Sequence, residues 1–229
     1  MTTLGIVGGL GPESTIDYYR RILERWKRDD PSSSPSIVID SLDVTRGLNL
    51  VEHDRPALVE YLSASLSRLA AAGADFAAMA ANTPHVVFDD LVSHSPIPVL
   101  SIVEACADEA QRRGLRRLGL FGTRFTMEGA FYPTVVSRRG MAIARPNAEE
   151  RTWIHGRYIG QLLKGDFRDE TRDGVSSVVR RLRKEENIDG VILGGTELTL
   201  LLSGPLVAEI PALDTTALHV DAIVKRLRA

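Results

Sequence analysis

The chain has 229 residues, of which 44% are apolar and 25% charged, and its formal net charge at pH 7 is −2. These values are typical of a globular protein of one or two domains, and they give no electrostatic reason to expect a nucleic-acid or membrane partner. The single cysteine, Cys106, excludes an internal disulfide framework and a zinc site built on cysteines.

The first residues, MTTLGIVGGLG, predict a short buried strand followed by a glycine-rich turn. No basic region precedes the apolar residues, and glycine interrupts them too early for a signal peptide or a membrane span. We therefore expect a cytoplasmic protein.

The glycine-rich turn leads into a predicted helix and is a candidate ligand-binding turn. Gly9-x-Gly11 is followed by Ser14 where a dinucleotide-binding fingerprint has its third glycine, and no Lys-Ser/Thr pair forms a phosphate-binding loop. A nucleotide-dependent enzyme is therefore the least favoured alternative. Backbone N–H groups in such a turn favour a carboxylate, so Gly9 is a candidate substrate-binding residue, although a purely structural turn explains the pattern equally well.

Short β-branched apolar runs alternate with longer amphipathic stretches along the chain. The stretches 55–73 and 169–186 have the apolar spacing of helices, and the first ends on Gly73, a suitable C-cap. Alternation of strand and helix predicts parallel sheets covered by helices. The apolar runs that predict strands are residues 4–9, 36–42, 75–81, 97–102, 118–122, 141–146, 189–195 and 210–214.

The second half of the sequence repeats the first at a shift of 114 positions (118 minus 4, for example). The repeat predicts an α/β protein of two pseudo-symmetric halves, each with a mainly parallel four-stranded sheet. We place the first domain at residues 1–113 and the second at 114–214, and expect a C-terminal helix, 215–229, to pack back on the first. The matched pairs are Leu4/Leu118, Gly5/Gly119, Gly8/Gly122, Tyr18/Tyr132, Asp75/Asp189, Ala81/Gly195 and Asn82/Thr196.

Two strand ends in this pattern are equivalent, because each apolar run stops abruptly at polar residues. They are MAANTPHVV, 79–87, and ILGGTELTL, 192–200. Ligands bind outside the carboxyl ends of parallel strands, so we expect both ends to line one cleft between the halves. Ala81 and Gly195, at their centres, carry no acid–base group.

His85 and Glu197 follow these two strand ends and are the candidate catalytic residues. A lone histidine at a helix start is more often structural, whereas a glutamate at a strand end is costly to bury unless it is paired or functional. Arg46, after the second strand, has the chemistry to bind a carboxylate bidentately, although a solvent-facing loop arginine fits its position as well.

The chain resembles the aspartate/glutamate racemase family over almost its whole length. The resemblance rests on GIVGGLGPEST, MAANTPH, LFGTRFTMEGAFY and ILGGTEL. It implies two pseudo-symmetric α/β domains with the active site between them, an isomerase that needs no cofactor or metal, and commonly a homodimer.

The family pattern has one cysteine in CNT and a second in GCTE, and these flank the substrate Cα. One removes the proton as thiolate and the other returns a proton to the opposite face. In this chain the two positions hold Ala81 and Gly195. Natural replacement and engineered removal are both open, and a glycine favours natural replacement. Cys106 falls in a predicted helix and is expected to be a small buried residue.

The resemblance also implies the substrate-binding residues for a small acidic amino acid or dicarboxylate. Asn82, Thr83 and Thr196 would hold one carboxylate, and Arg46 matches the arginine that holds the distal one. The remaining candidates are Thr123 and Thr126, in the loop that mirrors the first glycine turn, and Lys164, near a second basic position.

Three functions remain open on this basis. The first is racemase-like acid–base chemistry by His85 and Glu197 at a site without cysteines. The second is an elimination, hydration or decarboxylation with the same two residues, since loss of the cysteines leaves room for a water molecule. The third is a carboxylate-binding homologue that does not turn substrate over.

Overall fold

The computed structural model describes residues 2–229, which fold into two compact units. The first unit contains the residues up to Ile102 together with His219–Ala229, and the second is Val103–Leu218. No helix within residues 2–229 is both long enough and apolar enough to cross a lipid bilayer.

The described residues form nine strands and eleven α-helices. The strands are β1 Thr3–Gly8, β2 Ser36–Ser41, β3 Phe76–Met79, β4 Val99–Leu100, β5 Arg117–Gly122, β6 Ala142–Ala144, β7 Gly190–Gly194, β8 Leu206–Val207 and β9 Ile210–Asp214. The helices are α1 Pro12–Asp29, α2 Val44–His53, α3 Arg55–Ala71, α4 Phe88–Ser93, α5 Ile102–Arg112, α6 Arg124–Glu128, α7 Phe131–Ser137, α8 Ala148–Gly160, α9 Asp169–Glu186, α10 Thr196–Leu201 and α11 Thr215–Leu227. Two 3₁₀ turns are Thr83–Val87 and Leu162–Lys164.

The first unit is built on a parallel sheet with the strand order β2-β1-β3-β4. Leu4 and Ile6 of β1 point into a core that also contains Tyr18 of α1. The C-terminal helix α11 closes this core, since its apolar stripe packs against the same residues. The stripe consists of Val220, Ile223, Val224 and Leu227.

The second unit has five strands in the order β6-β5-β7-β9-β8, of which the first four are parallel. The sequence predicted only four, and β8, which pairs antiparallel with β9, is the correction. Leu206–Val207 is too short to show an alternating pattern and directly follows a Gly-Pro pair, which is typical of a turn. The predicted α/β class with two similar halves is confirmed.

The internal repeat is visible in the backbone pairing of the two units. Leu4 lies opposite Phe76 in the first sheet, and Leu118 lies opposite Gly190 in the second, so both partners shift by 114 positions. The side chain of Asp75 accepts a hydrogen bond from a backbone N–H at the start of β1. In the second unit, the side chain of Asp189 accepts the equivalent bond from the backbone N–H of Arg117 at the start of β5.

Helix α8 begins with a capping box, in which backbone N–H groups at its N-terminus are hydrogen-bonded to side chains. Asn147 accepts a hydrogen bond from the backbone N–H of Glu150, and the Glu150 carboxylate accepts one from the backbone N–H of Asn147, which forms a capping box. Arg181 of α9 forms an ion pair with the same carboxylate. Further along the helix, Ile154 and Tyr158 are buried in the core of the second unit.

Candidate functional site

The first predicted strand end, here called the Ala81 corner (residues 80–88), follows β3 and turns through the short 3₁₀ segment. Ala81 and Asn82 are buried, and the backbone N–H of His85 donates to the carbonyl of Asn82 at 3.0 Å. Asn82, Thr83 and His85 therefore lie within this one turn of the chain.

His85 is buried within this corner, and its ring stacks on Phe88 with the centroids 4.9 Å apart. Burial, with a smaller contribution from the nearby His219, lowers the pKa of His85 to about 3. The imidazole is therefore neutral at pH 7, which leaves it able to accept a proton but makes it a weak base.

Gly9 lies in the turn after β1 and has a positive φ of 78°. A Cβ at this position would overlap the backbone of Leu42 and lie 2.8 Å from the Ser41 hydroxyl oxygen, so only glycine fits. The Gly9 N–H donates to the hydroxyl of Thr15 at 2.9 Å. These contacts explain the glycine at position 9 by the shape of the turn alone, without a ligand.

Arg46 lies in the first turn of α2 rather than in a loop, and Asp43 caps that helix by accepting from the backbone N–H of Thr45 and of Arg46. Its side chain is exposed, and the guanidinium carbon stands 4.5 Å from the centroid of the Tyr61 ring. An arginine placed over an aromatic ring still has N–H groups that can bind a carboxylate.

Thr123 and Thr126 form the start of α6 in the second unit, and both are buried. The Thr123 hydroxyl caps the helix by accepting from the backbone N–H of Thr126 at 3.3 Å. Lys164, by contrast, is exposed at the end of the second 3₁₀ turn.

The second strand end, here called the Gly195 corner (residues 194–199), follows β7. Gly195 has extended backbone angles, φ −153° and ψ 126°, which any residue can adopt. The backbone conformation therefore does not explain why this position is a glycine.

Tyr158 of α8 explains it. A Cβ at position 195 would lie 2.6 Å from the Tyr158 hydroxyl oxygen and 2.8 Å from the ring carbon that bears it. The phenol thus occupies the space that a side chain at position 195 would fill. Tyr158 is not predictable from the sequence as part of this site, because no spacing rule connects a residue in the last turn of α8 with the end of β7.

Glu197 is buried and paired within the second unit. Its carboxyl group accepts hydrogen bonds from the hydroxyl of Tyr158 and, at 3.0 Å, from that of Thr196. Burial, together with the charge of Glu197, raises the pKa of Tyr158 well above its ordinary value, so the phenol is protonated at neutral pH. The three side chains form one buried polar cluster, here called the Tyr158 cluster.

Cys106 lies in α5 with no exposed surface, in agreement with the expectation of a small buried residue. Burial raises the pKa of its thiol, so the thiolate is disfavoured at neutral pH. Within residues 2–229, no three His, Cys, Asp or Glu side chains are grouped closely enough to hold a metal ion.

Comparison with known sequences shows which family this sequence matches. A profile of the Asp/Glu/Hydantoin racemase family matches residues 7–223. The broad specificity amino-acid racemase RacX of Bacillus subtilis strain 168 is 23% identical over 223 residues, which cover 93% of each chain.

Solved structures agree with the sequence comparison. A Yersinia pestis protein assigned as an Asp/Glu racemase is 31% identical, with a TM-score of 0.88 and full coverage of both chains. An aspartate racemase homologue from Pyrococcus horikoshii OT3 is 30% identical, with a TM-score of 0.84 and full coverage of both. The aspartate racemase of Picrophilus torridus, at 19% identity and a TM-score of 0.83 over 100% of this chain and 95% of its own, shares the fold.

Proposed function

Because the chain belongs to the Asp/Glu/Hydantoin racemase family, we propose that it is an amino-acid racemase that moves the Cα proton of a small acidic amino acid. The observation that carries the proposal is the pair of equivalent strand ends, one in each unit. Inversion at carbon needs proton removal on one face and proton return on the other, so two equivalent positions suit this reaction.

The substrate carboxylates are bound by neutral donors and by one cation in this proposal. Asn82 and Thr83 of the Ala81 corner and Thr196 of the Gly195 corner supply hydrogen-bond donors for the carboxylate next to Cα. Arg46 binds the distal carboxylate, and the Tyr61 ring beneath its guanidinium orients the N–H groups in advance. Gly9, Thr123, Thr126 and Lys164 are retained as secondary candidates for substrate contact.

Proton transfer is assigned to side chains of the protein, without a metal or an organic cofactor. Glu197 is the stronger candidate, since its buried carboxyl group accepts a hydrogen bond from the hydroxyl of Tyr158. His85 is retained as the group of the Ala81 corner, with its neutral imidazole as acceptor, although a pKa of about 3 limits its strength as a base.

Chiral chromatography of L- and D-aspartate and of L- and D-glutamate, each incubated with the pure protein, tests the proposal. We expect both enantiomers of one amino acid to approach the same racemic mixture. Olefinic or decarboxylated products would instead identify a lyase.

Arg46→Ala should raise KM for an acidic substrate by tenfold or more with a smaller effect on kcat.

A second candidate is a carboxylate-binding protein without turnover. The observation that favours it is the absence of an ionisable side chain at Ala81 and at Gly195. Isothermal titration calorimetry separates the two candidates, because binding of an acidic amino acid without racemisation supports this one.

We also propose a homodimer that uses the first unit. Ile16 and Tyr19, one turn apart on α1, are exposed, and so is Ile39 on the outer strand β2. Light scattering on the eluting protein should give twice the mass of the chain, and Tyr19→Glu should shift it towards the monomer.

A further inference from the structure

We propose that Tyr158 is a catalytic residue, which exchanges a proton with the substrate Cα and passes it to and from Glu197. This assignment rests on the proposed function and adds to it a group that the sequence does not reveal. Three features of the second unit support it: the space that the phenol fills, the partners of its oxygen and the place of both in the sheet.

The space filled by Tyr158 belongs to the residue at the end of β7. A ring carbon and the hydroxyl oxygen lie 2.4 Å and 2.6 Å from where the Cβ of residue 195 would be, so the phenol places an acid–base group where residue 195 carries none.

The partners of the phenol oxygen are those of a proton relay. The hydroxyl donates to the Glu197 carboxyl group, and the Glu197 backbone N–H and the Thr196 hydroxyl also face the oxygen. Burying a carboxyl group together with a phenol costs solvation energy, which an apolar pair at the same place would avoid. The polar pair is therefore better explained by chemistry than by packing.

The place of the cluster in the sheet is where ligands of parallel α/β proteins bind. Gly195 is the first residue beyond the carboxyl end of β7, an interior strand of its sheet. Tyr158 comes to this point from α8 and is packed in the core of the second unit. Packing of this kind keeps a reacting group in position.

The proposed step is a concerted relay. The substrate Cα–H bond breaks, its electron pair stays on Cα and is delocalised into the adjacent carboxylate, and the proton forms a bond to the Tyr158 oxygen. At the same time the original phenol proton moves to the Glu197 carboxylate. In the reverse direction, the phenol proton goes to the Cα carbanion and Glu197 returns its proton to the phenol, so no free phenolate accumulates.

Deuterium incorporation at Cα, measured separately from each enantiomer in D₂O, tests the assignment. Tyr158→Phe keeps the ring and removes only the oxygen, and Glu197→Gln keeps a hydrogen-bond acceptor that cannot take up the proton. We expect the rate of exchange from one enantiomer, the same one for both variants, to fall by 100-fold or more. Exchange from the other enantiomer should fall much less, because the opposite face uses a different group.

Tyr132→Phe is the matched control, since it removes the oxygen of another buried tyrosine in the same unit, outside the Tyr158 cluster. It should leave exchange from both enantiomers unchanged. If Tyr158→Phe also exchanges both enantiomers at the wild-type rate, the assignment is wrong while the proposed function stands. If the wild-type protein exchanges neither enantiomer of any acidic amino acid, both the assignment of Tyr158 and the proposed function are wrong.

Discussion

Gly195 shows how a residue can be determined by its neighbour rather than by its own backbone. Its φ and ψ suit any amino acid, yet the ring of Tyr158 leaves no room for a side chain. From the sequence it was possible to locate the strand end and to foresee that Glu197 would be paired if buried. The pairing partner was not predictable, because it comes from a separate helix and is brought there only by tertiary packing.

Gly195→Ala should therefore destabilise the protein. The added Cβ collides with the phenol, and forcing extra volume into a packed site costs about 1–3 kcal/mol. Urea denaturation measures the loss. Gly156→Ala is the matched control, because Gly156 lies in the same helix as Tyr158 with nothing within 4 Å of its added Cβ. That change should stabilise the helix by up to about 1 kcal/mol. Equal stability of Gly195→Ala and the wild type would show that Tyr158 moves aside easily.

Among the secondary-structure elements, the eight apolar runs all contain strands, because short apolar runs bounded by turn residues are too short for buried helices. The structure shortens several of them, and β4 keeps only two residues. The missed strand β8 owes its existence to the hairpin with β9 and not to a pattern of its own. Its turn residues, Ala208 and Glu209, have positive φ values of 47° and 65°.

This hairpin turn is strained, since a left-handed conformation costs about 1–2 kcal/mol for a residue with a Cβ. Glu209→Gly should raise the free energy of unfolding by about 0.5–1 kcal/mol, as measured by urea denaturation. Glu209→Ala separates strain from charge, because it removes the exposed ion pair with Arg183 but keeps the Cβ. An increase with alanine as large as that with glycine would contradict the role of strain.

In the molecule as a whole, two buried histidines contribute to the loss of stability in mild acid. Burial lowers the pKa of His219 to about 4, and that of His85 to about 3. The ring of His219 lies between the Tyr18 hydroxyl, at 2.9 Å, and the Leu100 carbonyl, at 3.2 Å. Both imidazoles are therefore held neutral by the folded state, whereas in the unfolded chain they take up protons below about pH 6.5.

The stabilising effect of these histidines is complete above about pH 6.5 and is lost as the pH falls towards their folded pKa values. The free energy of unfolding should drop by about 1.4 kcal/mol per pH unit for each histidine between pH 6 and 4. Urea denaturation across this range measures the slope. His219→Gln should reduce it by about half, while His53→Gln, at an exposed position, should leave it unchanged. A slope unaffected by His219→Gln would refute this explanation.

Proton transfer at Cα is tested most directly by the loss of the Cα–H signal of an acidic amino acid in D₂O, followed by proton NMR. Wild type and Cys106→Ala are compared, because the only thiol of the chain is buried and should take no part. We predict that both proteins exchange the Cα proton of aspartate or glutamate at the same rate. Retention of the signal in both, with the amino acid bound, would contradict proton transfer and leave a binding protein.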